Sequence, residues 1–375
     1  MRAPFPGIGR RTILGAAPGL LLAAAVPAAA LRDFRLTLLG QSLIQHDVRK
    51  VGWDGYGQFA DHFAKADACF TDLETTIIGP NGGPPTRDSA VHRADETVLD
   101  CLTGMHVDFF ATANNHAFDV GTGGIIDTMA ALERRKLAYA GTGINLAAAR
   151  RPAYLRTPAG IVALVAMATG KIRDGGAATP DRPGVNEVRQ DRPGAMNEED
   201  IGRVLDAVHE AARHAEIVIA YDHNHYWESD MAVTPDWQKS LARRCIGAGA
   251  TIFVGHGAPV LQGIEIYRNR PIFYDLGNFI FQSIAPNDTY GPESWRSVVA
   301  DCLLTRDGLG EIVLTPIVLS DVGREGPKDF VTRGLPQIAS GSAARSILEH
   351  LANESSPLNT SIQISGDTGR IVVRR

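Results

Sequence analysis

Five apolar segments of this 375-residue sequence end in side chains that bind metal ions or transfer protons. Each segment has the length and composition of a buried β-strand. The carboxyl ends of strands in α/β sheets meet in a crevice where ligands bind, so these side chains are expected to converge. The residues in question are, in chain order, Gly40 with Gln41, Glu74, Asn115 with His116, His223 with His225, and His256.

Imidazole nitrogens, carboxylates and amide oxygens are the ligand types of a catalytic divalent-metal site. We therefore predict a divalent metal ion, with candidate ligands Glu74, Asn115, His223, His225 and His256. The sequence leaves open which of His223 and His225 binds the ion. A single histidine or glutamate at a strand end is more often a satisfied core or surface group, and this alternative also stays open.

Proton transfer and substrate binding are predicted for residues near these ligands. His116 follows a candidate ligand and is predicted to act as a general acid, with Asp119 fixing its tautomer. Asn114 is predicted to contact substrate, or else only to accept an unusual backbone angle. Arg182 and Arg189 are predicted to clamp a carboxylate or phosphate, with solvated loop arginines as the alternative. Six histidines lack such a context and are predicted to be non-functional: His46, His62, His92, His106, His209 and His214.

Short apolar runs alternate with amphipathic helical stretches, which predicts strands covered by helices. Strands are predicted at 36–39, 68–73, 109–113, 161–168, 217–221 and 251–254, and later at 263–267, 271–274, 279–281, 298–305 and 312–318. Helices are predicted at 122–135, 197–214 and 234–248, the last with Thr234 as N-cap and Pro235 at its first position. We predict one α/β domain over 31–355, a sandwich of two helix-covered sheets, followed by a loosely attached polar tail at 356–375.

Residues 1–30 have the layout of a twin-arginine export signal. Arg10 and Arg11 precede an apolar run, small residues follow, and no acidic residue is present. Glycines and prolines interrupt the run, which disfavours the alternative of a retained membrane anchor. We therefore predict an exported protein of the periplasm or cell envelope. The net charge of −5, without a basic tract, argues against nucleic-acid binding.

An ordered series of motifs resembles the CapA/PgsA family, the bacterial capsule-synthesis and poly-γ-glutamate proteins. The segment 111–121 reads ATANNHAFDVG and is similar to the signature loop of that family. Further similar blocks follow the family's order: DLE at 72–74, GTGINL at 141–146, RPGVN at 182–186, GHG at 255–257 and IFYDLGNF at 272–279. The resemblance extends from about residue 36 to about residue 281.

The resemblance implies the four-layer α/β/β/α sandwich of calcineurin-like metallophosphoesterases. It implies Glu74, Asn115, His223 or His225, and His256 as ligands of Mn, Zn or Fe, with His116 near the substrate. Asn278, in the last block, is assigned to substrate binding. The implied function is the synthesis, export or anchoring of a capsule or of poly-γ-glutamate, an anionic envelope polymer. The substrate of the protein would be an anionic polymer or a phosphoester, and its partners would be membrane proteins of polymer synthesis.

Two positions depart from the family pattern. Members usually carry Gly-Asp where this chain has Gly40 and Gln41, and a second histidine near the place of Pro259. In the related phosphoesterases these positions tend to serve the same one of two metals, so we predict a degenerate site with at most one ion. Whether the protein is an enzyme stays open. The alternatives to the polymer role are a metal-dependent phosphoester hydrolase and a non-catalytic protein that binds anions or polymers.

Overall fold

Two β-sheets packed face to face form the centre of the computed structural model, which describes residues 33–286, 288–305 and 308–372. The export signal predicted for 1–30 lies outside the described residues. The described strands are, in chain order, β1 (Phe34–Leu38), β2 (Gln41–Leu43), β3 (Ala68–Asp72), β4 (Thr76–Ile77), β5 (Arg93–Ala94), β6 (Phe109–Ala111), β7 (Ala138–Ala140), β8 (Thr142–Gly143), β9 (Ala153–Thr157), β10 (Gly160–Thr169), β11 (Gly184–Val185), β12 (Gln190–Arg192), β13 (Ala195–Met196), β14 (Ile217–Asn224), β15 (Ile252–His256), β16 (Ile264–Tyr267), β17 (Arg270–Phe273), β18 (Asn278–Phe281), β19 (Arg296–Thr305), β20 (Gly308–Leu319), β21 (Pro336–Ile338), β22 (Gln363–Ser365) and β23 (Thr368–Val372).

Seven α-helices accompany these strands in the described part of the chain. They are α1 (Gly55–Phe63), α2 (Thr97–Gly104), α3 (Gly121–Arg134), α4 (Leu146–Ala149), α5 (Glu198–Ala212), α6 (Asp236–Gly247) and α7 (Gly341–Ser355). Among the described residues, no helix combines the length and the hydropathy required to cross a membrane.

The first sheet has nine strands in the order β22-β23-β20-β19-β1-β3-β6-β7, with β21 beside β20. The second has six strands in the order β16-β17-β15-β14-β10-β9. In the first sheet β1, β3, β6 and β7 run parallel, and in the second β10, β14, β15 and β17 do. Parallel strands place their carboxyl ends at one edge of each sheet, which is where the predicted site residues lie.

Successive side chains of the strands pack alternately in the core between the sheets and in a core between a sheet and its helices. The result is four layers. Phe70 of β3 and Leu164 of β10 pack in the core between the sheets. Cys69 of β3 instead faces α1, α2 and α3, whereas Val165 of β10 faces α5 and α6. Because successive residues of a strand point to opposite faces, both sheets are covered on both sides. The predicted four-layer α/β/β/α sandwich is confirmed.

The predicted elements agree with the observed ones to within a few residues, with two corrections. The predicted N-cap Thr234 and first position Pro235 both lie one residue too early: Pro235 occupies the N-cap position of α6 without a side-chain cap, and the Thr234 hydroxyl donates to Gln262. The prediction of a loosely attached tail over 356–375 is wrong for β22 and β23, which pair with each other and continue the first sheet from β20. Ile371 of β23 is 3% exposed and packs in the core between the sheets.

Candidate functional site

The ends of β3, β6, β14 and β15 bring most of the predicted site residues to one pocket. The pocket has a volume of about 440 Å³. Glu74, Asn115, His116 and His225 line it, while His223 and His256 are fully buried. Its other polar lining residues include Gln41, Arg87, Ser89, His92, Lys171, Ser283 and Thr289.

Glu74, His223 and His225 form a cluster that could hold a metal ion. One possible ligand atom from each of the three lies within 4.8 Å of the others. Glu74 Oε2 and both ring nitrogens of His225 are buried without a hydrogen-bond partner. Burial, together with the negative charges of Asp72 and Asp119, raises the pKa of Glu74 well above its ordinary value. A buried carboxylate and imidazoles without partners fit a cation, because such groups are otherwise costly to bury.

Asn115 and Asp72 contact the two ring nitrogens of His223. Nε2 of His223 lies 3.0 Å from Asn115 Oδ1, close to the roughly 3 Å that separates two ligands of one ion at about 2.1 Å. Nδ1 lies 3.3 Å from the Tyr221 hydroxyl, and 3.1 Å from Asp72 Oδ2 without the geometry of a hydrogen bond. Asn114 Nδ2 donates to Asp72 Oδ1 at 3.0 Å and to the Leu73 carbonyl at 2.8 Å. Asn114 is therefore occupied in holding Asp72.

His256 lies outside this three-residue cluster, although it is fully buried. Neither of its ring nitrogens has a hydrogen-bond partner of adequate geometry, although the Leu39 carbonyl lies near enough to favour the protonated ring. Burial nevertheless lowers its pKa to about 3, and His223 adds to this effect. The ring is therefore neutral at pH 7, the form in which histidine binds metal.

His116 and Asp119 form a hydrogen-bonded pair beside the cluster. His116 Nδ1 lies 2.7 Å from Asp119 Oδ2, and His116 Nε2 lies 3.8 Å from Glu74 Oε1. Arg87 Nη2 also lies near His116 Nδ1 and 3.2 Å from Asp119 Oδ1. Because an ionised carboxylate only accepts, we assign the proton to Nδ1 and the guanidinium to Asp119.

The protonation state of this pair determines which way a proton can move. Burial, followed by the charge of Arg87, lowers the pKa of His116 well below its ordinary value. Burial raises the pKa of Asp119 to about 6, so this carboxyl is mostly ionised at pH 7. A neutral ring with its proton on Nδ1 accepts a proton at Nε2. The predicted general-acid role thus requires that His116 first take up a proton.

Among the lining residues that the sequence did not indicate are Arg87, Lys171 and His92, the last of which was predicted to be non-functional. The His92 ring centroid lies 4.1 Å from that of His116, and its backbone N–H donates to Asp119 at 2.7 Å. The loop that carries Arg87 and His92 follows no strand of the two large sheets. Residues on this loop therefore cannot be identified by looking for polar side chains at strand ends.

Gln41 and Pro259, the two departures from the family pattern, contribute to one hydrogen-bonded corner. Gln41 Oε1 accepts from the Gly257 N–H at 3.0 Å, and its Nε2 donates to Asn278 Oδ1 at 2.9 Å. Asn278 Nδ2 donates to the Ser294 carbonyl at 2.9 Å and more weakly to that of Pro259 at 3.3 Å. The side-chain oxygens of Gln41 and Asn278 are both engaged within the protein, and Asn278 is fully buried.

The structure does not bring Arg182 and Arg189 to the pocket. Arg189 pairs with Asp200 at 2.7 Å, and Arg182 donates to the Ala177 carbonyl at 3.2 Å. Asp200 of α5 holds Arg189 and a carbonyl of its own loop holds Arg182, whereas Arg87 and Lys171 are the cations that line the pocket.

Asp222 faces the helical layer, on the opposite side of β14 from the pocket, where it accepts from the Thr169 hydroxyl at 3.2 Å. Burial raises its pKa to about 8. The folded protein therefore keeps a proton that the unfolded chain releases from about pH 4 upward. This contribution to stability is complete below about pH 4 and is lost as pH rises through 8.

We expect the unfolding free energy of the wild type to fall between pH 5 and pH 8 more than that of Asp222→Asn. The difference should be on the order of 2–4 kcal/mol, because one retained proton is worth about 1.4 kcal/mol per pH unit. Urea denaturation of both proteins at the two pH values measures it. Equal pH slopes for the two proteins would show that Asp222 is ionised in the folded state.

The fold and the site thus define an α/β/β/α sandwich with a candidate metal pocket at the carboxyl ends of its strands. The family described as bacterial capsule synthesis protein PGA_cap matches residues 35–283, and this chain belongs to that family. An uncharacterized protein of Sinorhizobium fredii is 27% identical over 90% of this chain and 93% of its own. The PGA biosynthesis protein CapA of Bacillus subtilis is 30% identical, over 61% of this chain and 56% of its own.

Among solved structures, a 5'-nucleotidase precursor of Thermus thermophilus has a TM-score of 0.36 and 12% sequence identity. The match covers 88% of this chain and 59% of that chain. The fold assignment therefore rests on the sheet order and cores of the chain itself.

Proposed function

We propose that this protein is an exported enzyme of capsule or poly-γ-glutamate synthesis that uses one divalent metal ion to hydrolyse a bond in an anionic substrate. The observation that carries the proposal is the position of the His116 and Asp119 pair. Its second ring nitrogen, Nε2, lies 3.8 Å from Glu74, a member of the candidate metal cluster, and 3.3 Å from Arg87 Nη2. Proton transfer and metal binding are thus available at one pocket.

A single ion of Mn, Zn or Fe agrees with the donor set. Glu74, His223 and His225 would hold it, with Asn115 as a further oxygen ligand. Gln41 and Pro259 stand where a second ion would need a carboxylate and an imidazole, and the Gln41 side-chain oxygen is engaged by Gly257. When bound, a divalent ion acts as a Lewis acid at the reacting bond.

The residues of the chain itself would bind and orient the reactants and move the proton. His116 Nε2 accepts a proton and later returns it to the leaving group, while Asp119 holds the other ring nitrogen and stabilises the imidazolium. Arg87 keeps Asp119 ionised and presents positive charge to the pocket. The Tyr221 hydroxyl and the Asp72 carboxylate, which both lie beside Nδ1 of His223, would hold the orientation of that ring.

The envelope location and the polymer role rest on the sequence and the family. The predicted signal, with Arg10 and Arg11, supports export to the periplasm or cell envelope. The printed name of the Bacillus subtilis relative supports a role in poly-γ-glutamate synthesis, with membrane proteins of that process as partners. A non-catalytic anion-binding protein is the second candidate, which the engaged side chain of Gln41 favours.

We expect protein purified from the cell-envelope fraction without chelator to contain close to one metal equivalent per chain. It should also hydrolyse at least one member of a panel of phosphoesters and γ-linked glutamate oligomers, in a chelator-sensitive manner with Mn²⁺ or Zn²⁺. Elemental analysis and product assays measure both. Two equivalents would contradict the single-ion site, and one equivalent without hydrolysis would favour the binding protein. Protein absent from the envelope fraction would contradict export.

A further inference from the structure

We propose that the pocket binds an organic acid whose acid group lies between Arg87 and Lys171 and whose apolar part packs on Trp227 and Tyr290. This deepens the proposed function and rests on it only in that the same pocket holds the substrate. All four side chains line the pocket. The ligand class is therefore an acid joined to an apolar or aromatic body, either a carboxylate or a phosphorus oxyacid.

Lys171 is a cation without a carboxylate partner in the described part of the chain. It forms no salt bridge there, and its ammonium lies 4.7 Å from the centroid of the Trp227 ring. Partial burial and the charge of Arg87 lower the pKa of Lys171. The positive charges of Arg87 and Lys171 repel each other at the pocket. An anion bound between them would offset this repulsion.

Arg87 has hydrogen-bonding capacity left over after its contact with Asp119. Its Nε is buried without a partner, while Nη2 lies 3.2 Å from Asp119 Oδ1. Arg173 Nη2 forms a longer ion pair with the same oxygen at 3.7 Å, makes no hydrogen bond, and lies outside the pocket lining. Asp119 already accepts from His116, and Glu74, the carboxylate that lines the pocket, belongs to the candidate metal cluster, so neither is available to pair with Lys171. An acid group of the ligand would supply the missing negative charge and acceptors.

The rest of the pocket wall is largely apolar, and this surface determines which group the ligand carries besides its acid group. Trp227, Tyr290, Phe281 and Ile284 line it, and Ile284 is 54% exposed. Glutamate side chains have too little apolar surface to cover these rings, whereas an aromatic or alkyl body would bury them. The pocket therefore favours an amphipathic acid over a polymer of carboxylates alone.

The test compares two acids that share the same head group and resist hydrolysis, methylphosphonate and phenylphosphonate, with γ-linked triglutamate as a third probe. Titration calorimetry at low salt, with the protein as purified, measures each dissociation constant. We expect phenylphosphonate to bind roughly tenfold or more tightly than methylphosphonate, and more tightly than triglutamate. Lys171→Met should weaken both phosphonates about tenfold, and Lys171→Arg should restore them in part.

The matched control is Lys136→Met, because Lys136 and Lys171 both have positive φ, 56° and 52°, and Lys136 lies outside the pocket. Thermal unfolding verifies that each variant is folded. Unchanged phosphonate binding by Lys171→Met would overturn the acid site. Equal affinity for the two phosphonates, or tighter binding of triglutamate, would overturn the apolar part. If the ligands bind in the expected order but no substrate is hydrolysed, the proposed hydrolytic function is contradicted and the acid site is supported.

Discussion

Replacing His116 with alanine is expected to lower kcat of the proposed hydrolysis by about 10²–10⁴-fold, the usual range for loss of a proton-transfer group. The reason is geometric: Asp119 holds His116 Nδ1 at 2.7 Å, which leaves Nε2, 3.3 Å from Arg87 Nη2, as the nitrogen that exchanges a proton at the pocket. KM should change far less, because the substrate contacts of Arg87 and Lys171 remain. Steady-state kinetics with saturating Mn²⁺ or Zn²⁺ measures both constants.

His62 provides a matched control for this experiment. Its Nε2 lies 2.7 Å from Asp301 Oδ2, a second histidine–carboxylate pair of the same distance that lies outside the pocket. His62→Ala should keep kcat within about twofold of the wild type. Metal content should also stay unchanged in His116→Ala, because His116 is not a member of the metal cluster. If His116→Ala keeps full activity, the pair has no part in catalysis.

The two sheets were predictable because their central strands are buried on both faces. Such strands read as continuous apolar runs, as β10 and β14 do, and helices between them show the 3.6-residue period, as α5 does. The polar residues that end these runs mark the pocket, since parallel strands finish at one edge. The segment 356–375 was predicted to be loosely attached because β23 is short and half polar. Its pairing with β20 and the burial of Ile371 are long-range contacts that no local pattern indicates.

Residues that reach the pocket from loops could not be predicted in the same way. The His92 backbone contacts Asp119 across 27 positions of sequence, and Arg87 contacts His116 across 29. No local pattern specifies contacts of that kind, because they depend on how a loop returns over the sheet. The prediction for Arg182 and Arg189 placed the cations of the pocket on a loop that does not reach it, and Asp200 of α5 engages Arg189.

Gln41 and Pro259, the two departures from the family pattern, both make hydrogen bonds within the protein. The sequence identifies both as departures from the family pattern but does not relate them to each other. In the structure Gln41 reaches Gly257 and Asn278, and Asn278 reaches the Pro259 carbonyl. A carboxylate in place of Gln41 could not donate to Asn278 as the amide does. Pro259 takes part only through its backbone carbonyl, so this contact does not depend on the proline side chain, whereas the contacts of Gln41 depend on its amide.

Glu74→Gln is expected to weaken Mn²⁺ and Zn²⁺ binding on the order of 100-fold or more, since even residues that only orient a ligand cost 10–100-fold. Glu74 is the carboxylate of the three-residue cluster, and its Oε2 has no hydrogen-bond partner. Glutamine keeps the shape and removes the charge. Titration calorimetry measures the affinities, with Glu187→Gln as the control because burial likewise raises the pKa of Glu187.

The metal-free proteins give an independent reading of the same site. Burial, with Asp72 and Asp119, raises the pKa of Glu74, so an ionised Glu74 without a cation costs stability at pH 8. Metal-free Glu74→Gln should therefore unfold at an equal or higher urea concentration than the metal-free wild type. Added metal should stabilise the wild type and leave the variant almost unchanged. Equal stabilisation of both proteins would place the ion elsewhere, and the His116 pair would then lack its metal neighbour.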